Sequence, residues 1–412
     1  MQTFTGWQYM LIDLANAFGL DKLLFEDRIE WANNNLHQLE LLADKADTPP
    51  LFLKAAMAIR KVMKGQPSGH LVGMDACCSG IQIMSALTGC VAGATNTGLV
   101  DPTVRADAYS KTTEIMNVEL GGTCEVSRDD AKDALMTSFY GSKKKPKEIF
   151  GEDTPELNAF YTAAHVVAPG AWELLQDLLA SWQPYALAHR WKLPDGFDAV
   201  VKVMEKREAR IEVDELNHAT FTYEFYVNEG TKSGLSNVAN VVHSVDAYVL
   251  RSIHRRCNYD LVQVNAAWAA IADELTFRRT CNDMGYVTDA PAKLAYYISQ
   301  WERSGMADVV ILPHLISNTV YVPPALLEQL QVIVKSMLVH QPFDVVTIHD
   351  EFKCGPNHMN HLRQHYINIF AELAESELLS DLLTQIHGTP GTFPKLSNNL
   401  GSLIRGSNYA LS

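Results

Sequence analysis

The chain has 412 residues, 47% of them hydrophobic and 20% charged, and a formal net charge of -14. This size and apolar content suit a globular protein of two or three lobes with a sizeable core, and speak against disorder. The acidic balance excludes a surface given over wholly to nucleic acid, because phosphate binding needs a positive field; any groove for a polyanion has to be local.

Two basic clusters offer themselves as such a groove or as plain solvated faces: Lys143, Lys144, Lys145 and Lys147, and His254, Arg255 and Arg256. The seven cysteines include no C-x-x-C pair, and the adjacent Cys77 and Cys78 are poorly placed to share a zinc ion, so free thiols in a reducing compartment are expected. The sequence shows neither a signal peptide nor an apolar run long enough to cross a bilayer, which points to a cytoplasm and no membrane.

In chain order, residues 7 to 42 read as helical, with Trp7, Met10, Leu11, Leu14 and Phe18 at helical spacing, a break at Gly19-Leu20-Asp21 and a second helix from Phe25. His70 to Met74 reads as a short strand leading into Asp75, and Ile81, Met84, Ser85 and Leu87 as the buried face of the next helix. From 101 to 250 the pattern is mainly helical, broken by prolines. It includes an aromatic hairpin strand at 220–227 followed by a turn at Asn228-Glu229-Gly230. Phe343 to Ile348 is an apolar strand that delivers His349-Asp350, and Glu351 to Cys354 continues it beyond a tight bend.

Three constellations carry chemistry. Asp75 at a strand end is either a helix N-cap or a catalytic carboxylate at a sheet edge. Arg128, Lys132, Met136 and Tyr140 are spaced by four, which sets them on one helical stripe closed by Gly141. Two cations and an aromatic suit a triphosphate and a base, the alternative being a surface helix whose cations answer Asp129 and Asp133. Asp350 is either a turn-forming residue or the partner of Asp75 in holding two divalent ions.

Taken in this order, Asp75-x-x-Cys78-Ser79-Gly80-Ile81-Gln82, Arg128-x-x-x-Lys132-x-x-x-Met136-x-x-x-Tyr140-Gly141-Ser142 and His349-Asp350-x-Phe352 resemble motifs A, B and C of the single-subunit RNA polymerases of T-odd phages and mitochondria. Further matching pieces are Asp21-Lys22 with Phe25-Glu26-x-Arg28-Ile29, Trp191-x-x-Pro194-Asp195-Gly196-Phe197, Asn240-x-Val242-His243-Ser244-x-Asp246 and the tail Ser407 to Ser412. The resemblance covers nearly the whole chain.

It implies an α-rich α/β chain with the right-hand polymerase fold, a palm with a small antiparallel sheet plus helical fingers. Residues 1–110 and 343–412 would form the palm, 111–250 the fingers, and 251–342 a helical insertion. The implied activity is DNA-directed RNA synthesis from ribonucleoside triphosphates on a DNA template. Two magnesium ions would be held by Asp75, Asp350 and the backbone carbonyl of Ala76. Arg128 and Lys132 would bind the triphosphate, with Lys132 protonating the leaving pyrophosphate, while Tyr140 and His243 would sense the ribose. Tyr109 and Lys22 match positions near the nucleotide more loosely. Gly80 stands where related DNA polymerases carry a Glu that would crowd a 2′-hydroxyl.

Only 74 residues precede Asp75, and no Gly-Arg dipeptide occurs. The resemblance therefore leads one to expect that the N-terminal domain, the thumb and an Asp-x-x-Gly-Arg segment are absent and reside on a second subunit. That would be the arrangement of a split, heterodimeric phage RNA polymerase acting in the cytoplasm of an infected bacterium. The hairpin near 220–233 stands where the family places a promoter-reading loop. Its expected shortness implies weak recognition of duplex promoters and reliance on opened template or on a single-stranded-DNA-binding initiation factor. The rival readings are a catalytically inactive scaffold or DNA-binding subunit of the same fold, and a metal-dependent phosphohydrolase built on His349-Asp350.

Overall fold

The spacing of Met10, Leu11 and Leu14 produces a helix at Gly6–Phe18 in the computed structural model, which describes every residue except 123, 231–235 and 283. Thr5 starts this helix with a reciprocal capping box to Gln8, and Gly19, at φ 105°, ends it in the left-handed region where a side chain would be strained. The next helix, Phe25–Asn35, begins where the sequence placed it.

Among the described residues seven strands follow: β1 (Val72–Asp75), β2 (Ala188–Lys192), β3 (Asp198–Lys202), β4 (Met204–Val213), β5 (Ala219–Gly230), β6 (Val346–Ile348) and β7 (Glu351–Cys354). The first and the last two form one antiparallel sheet in the order β1-β7-β6. Val72, Met74, Phe352 and Cys354 join the main core from this sheet. The helices Ser79–Thr88, Ser236–Cys257 and Met359–Glu375 pack on one another, and the last also packs on β7.

The Ser79–Thr88 helix is buried from Gly80 to Thr88, which explains why it carries no charged residue. Its one long polar side chain, Gln82, is fully engaged. It donates to the carbonyls of Thr97 at 2.8 Å and Ala410 at 3.0 Å and accepts from the Tyr366 hydroxyl at 2.6 Å. The C-terminal tail is thereby stitched beside β1: Leu411 bridges Ala76, and the Ser412 amide donates to the Asp75 carbonyl at 3.0 Å.

A second, separate core gathers Val264, Ile271, Leu294, Leu315, Leu330 and Met337, supplied chiefly by the helices Leu261–Cys281, Ala292–Ser304 and Pro324–Met337. It is tied to the first through Arg255, which pairs with Asp195 at 3.2 Å and Asp308 at 2.8 Å.

Three expectations need correction. The aromatic strand at 220–227 pairs with the segment before it, as β4–β5, with the connection at 214–218; residues 228–230 belong to β5, and 231–233 lie outside the described residues. This ribbon has strands of 10 and 12 residues, so it is not short, and the ground for expecting weak promoter recognition goes with it. The basic cluster at 254–256 is neither a solvated face nor a groove. Arg256 is wholly buried and held bidentately by Glu372 at 2.5 and 2.8 Å, while Arg255 serves the ion pairs above. The charge run at 143–147 does have the character of an exposed face, with Lys144 pairing to Glu148 and Lys147 to Glu152. All seven cysteines are free, and no helix among the described residues is long and apolar enough to cross a membrane.

Candidate active site

The antiparallel register sets Asp75, the last residue of β1, opposite Glu351, the first of β7. The β6–β7 connection is the two-residue turn His349-Asp350, with His349 at φ 56°, as such tight hairpin turns require at their first position. Asp350 is thus delivered beside Asp75, and the Ala76 amide donates to the Asp350 carbonyl at 3.2 Å. The helix that follows Asp75 takes Cys78 as its N-cap, so Asp75 is not a capping residue. Cys78 sits at φ 63° and lines the same cleft as His349; two non-glycine residues held in a costly conformation flank one space.

The Asp75 carboxyl opens to solvent at the foot of a cleft yet is crowded by protein. Burial of its surroundings, then the charges of Glu351 and Asp350, raise its pKa to about 6. Lys353 relieves this only in part, being engaged by Glu351 at 2.7 Å. Neighbouring carboxylates with a surplus of negative charge, next to carbonyl oxygens, are the type of donor that hard divalent cations favour. In donor chemistry, oxygen ligands and negative charge, Asp75 and Asp350 suit magnesium, with their oxygens not drawn into a group of three among the described residues of this structure. Among the described residues, the one group of three side chains with ligand atoms within 4.8 Å of one another is Glu212, Asp214 and His218, exposed around the β4–β5 connection and outside this cleft.

The expected stripe is realised with one adjustment. Arg128, Lys132 and Met136 lie on the Arg128–Ser138 helix, capped by Ser127, whereas Tyr140 lies just beyond its end, before Gly141 at φ 91°. Arg128 answers neither Asp129 nor Asp133; it pairs with Asp107 at 2.7 Å and sits 5.6 Å from the Tyr109 ring. The Lys132 ammonium lies 6.0 Å from the same ring and pairs with no carboxylate among the described residues. Tyr140 stacks obliquely on His243, with ring centres 4.9 Å apart. Burial drives the Tyr140 and Tyr109 hydroxyls well above the usual tyrosine range, so both remain protonated donors.

These parts enclose a cleft of about 510 Å³ that brings together Tyr109, Tyr140, His243, Asp246 and Asp350 with Gly80 in its wall. Lys22 and Arg128 line a neighbouring cleft of about 550 Å³ with Asp107, and Asp75 faces a third of about 220 Å³ with Glu351 and Lys353. Lys22, Arg105, Lys111 and Arg128 thus share one cleft with Asp101, Asp107 and Glu114, whereas the cleft of Tyr140 and His243 has Asp246 and Asp350 as its acids.

Residues 2–146 match the family model for DNA-dependent RNA polymerase. The match takes in Asp75, Ala76, Tyr109, Arg128, Lys132 and Tyr140; His243 and Asp350 lie beyond it. A protein of Neurospora crassa named "Probable DNA-directed RNA polymerase" is 32% identical over 34% of this chain and 18% of its own length. The "DNA-directed RNA polymerase" of Pseudomonas phage phiKMV is 27% identical over 28% of this chain and 16% of its own. The mitochondrial one of Schizosaccharomyces pombe is 26% identical over 33% and 14%. The chain thus spans less than a fifth of the length of these relatives in the aligned stretches.

Sequence reasoning gave no role to three residues of the site. Glu351 and Asp107 show their part only once the strands and helices are assembled. Asp246 had a usable signal: it follows His243 by three residues, one turn along the same helix. Its pKa is raised to about 6, by burial first and by Asp350 second.

Proposed function

We propose that this chain carries the catalytic centre of a DNA-directed RNA polymerase, adding ribonucleotides to an RNA 3′ end on a DNA template. The observation that carries this reading is convergence. Side chains from 78–80, 109–140, 243–246 and 349–350, far apart in sequence, line one cleft, and Asp75 stands within the electrostatic reach of Asp350 from a second one. The polymerase match of the first third of the chain supports it.

In this reading Asp75, Asp350 and the Ala76 carbonyl hold two magnesium ions, which when bound would activate an attacking hydroxyl and offset charge on departing pyrophosphate. Lys132 and the Arg128 guanidinium, whose Nη1 is not engaged by Asp107, hold the triphosphate, with Lys22 adding charge from the adjoining cleft. Lys132 hands a proton to the leaving group. Tyr109 walls the nucleotide, and the Tyr140 hydroxyl and His243 meet the ribose. The right-hand arrangement, with palm at 1–110 and 343–412, fingers at 111–250 and an insertion at 251–342, belongs to the same proposal, as does a setting in phage transcription.

The deciding experiment is extension of an RNA primer on a DNA template with magnesium and each nucleotide set, using the chain alone and then with the expected second polypeptide. RNA made only with the partner supports the split enzyme; RNA made by the chain alone removes the need for it. No RNA in either arm refutes the polymerase reading. Tyr140→Phe is expected to keep synthesis but to relax the preference for ribonucleotides by about tenfold, the worth of one hydrogen bond to the sugar. Unchanged sugar selectivity in competition assays removes Tyr140 from that role.

The raised carboxyls set a pH test of metal binding that needs no turnover. Asp75 and Asp246 hold protons more tightly folded than unfolded, so the fold loses stability as pH rises from about 4 through about 6. Magnesium binds the ionised form. Millimolar magnesium should therefore raise the melting temperature at pH 8 and have little effect at pH 5, where protons compete. A shift of equal size at both values, or one that persists in Asp75→Asn, places the metal elsewhere.

A further inference from the structure

The roles assigned so far leave one acidic side chain of the cleft without a task. Asp246 and His243 project from one face of the Ser236–Cys257 helix, being three residues apart. The Asp246 carboxyl lines the cleft with Tyr140, His243 and Asp350, and is half-buried there. Neither a cation nor a hydrogen-bond donor stands against it among the described residues; its surroundings contribute desolvation and the like charge of Asp350. A carboxylate in that position loses hydration without compensation, and such a group is satisfied when a ligand supplies the missing donor.

The identity of that donor can be narrowed by charge and placement. A phosphate is repelled by Asp246 and Asp350 and has its own cations, Arg128 and Lys132, by the Tyr109 ring. The proposed metal ligands, Asp75 and Asp350, come from the β1 end and the β6–β7 turn, whereas Asp246 comes from the Ser236–Cys257 helix beside His243. What remains is a neutral donor at the acidic end. On the polymerase reading the 3′ end of the growing strand must come to Asp350 and Asp75, so its terminal sugar lies at that end. The neutral donor on that sugar, present in RNA and missing from DNA, is the 2′-hydroxyl.

Resting on that reading, we infer that Asp246 accepts a hydrogen bond from the 2′-hydroxyl of the 3′-terminal ribonucleotide of the growing strand. It selects the end that is extended, as Tyr140 and His243 select the nucleotide that is added. The two sugar checks sit side by side, His243 and Asp246 being one helical turn apart.

The test is single-nucleotide addition by the full chain in its active assembly, on one DNA template, with two primers that differ only in a terminal ribose or 2′-deoxyribose. A hydrogen bond to a charged acceptor gives the wild-type protein a preference of about tenfold or more in kcat/KM for the ribose end. Asp246→Ala is expected to bring the two primers within about twofold of each other. Asp246→Asn, whose amide oxygen still accepts, keeps part of the preference and guards against a mere folding defect. The ratio of ribonucleotide to deoxynucleotide addition should not move in either variant. Equal losses on both primers, or an undiminished ribose preference, overturn the assignment and leave the polymerase reading standing. Absence of addition by the wild-type protein on either primer overturns both.

Discussion

Asp75→Asn and Asp350→Asn are each expected to lower nucleotide addition by about three orders of magnitude or more while leaving the protein folded. The size follows from the proposed role. Each change removes one of the two carboxylates proposed to hold the ions, and charge stabilisation by a bound divalent ion is worth several kcal/mol in the transition state. The intact fold follows from position. Asp75 ends a strand at the solvent side, and neither carboxylate belongs to the core.

Stability gives the prediction a second edge. Asp75 is held above its ordinary pKa by burial, Glu351 and Asp350, so its ionised form is a burden on the apo protein at neutral pH. Neutralising it should leave the melting temperature at pH 8 unchanged or higher. Asp350 raises both Asp75 and Asp246, so Asp350→Asn should also flatten the pH dependence of stability between about pH 4 and 6. Thermal melts across pH and single-turnover addition measure both effects. A melting temperature that collapses, or activity within tenfold of wild type, would falsify the assignment of these two residues.

The parts of this site that were legible in the sequence are those encoded by neighbours in the chain. A short apolar run ending in Asp75, a helix after it, and a strand, turn and strand around His349-Asp350 are local signals; the helix and the last strand stand where they were expected, while β1 starts at Val72 and not His70, and β6 at Val346 and not Phe343. The ribbon was half-read because Met204 to Val213 alternates Lys, Glu and Arg with Ala and Ile, a composition at home in a surface helix. Both faces of β4 are largely open to solvent, so no buried stripe marks its period, and pairing with β5 decides the conformation. The same limit misplaced Arg255 and Arg256. A charge run reads as exposed until a partner is known, and Glu372 lies 116 residues away. Asp246 illustrates it within the site, since an acid on an amphipathic helix is ordinary until the fold turns it toward Asp350.

Gly80→Ala should reduce kcat/KM for ribonucleotide addition by about a hundredfold, the scale on which a displacement of about 1 Å in a catalytic group is felt. A Cβ at this position would lie 2.8 Å from the Tyr140 hydroxyl oxygen and 3.1 Å from its Cζ, too close for either to stay. The neighbouring backbone belongs to a helix buried on all sides, so it cannot yield, and the tyrosine must. Tyr140 would be pushed within the cleft it shares with His243, disturbing the two residues proposed to meet the sugar. Glutamate in place of Gly80 adds a third acid to a cleft already holding Asp246 and Asp350, and its loss should be greater. The steric origin is separable from a general one by a double-mutant cycle with Tyr140→Phe. Removing the hydroxyl takes away the closest contact, so Gly80→Ala should cost several-fold less in the Tyr140→Phe background. Strict additivity of the two substitutions would mean that Gly80 acts through the helix and not through Tyr140.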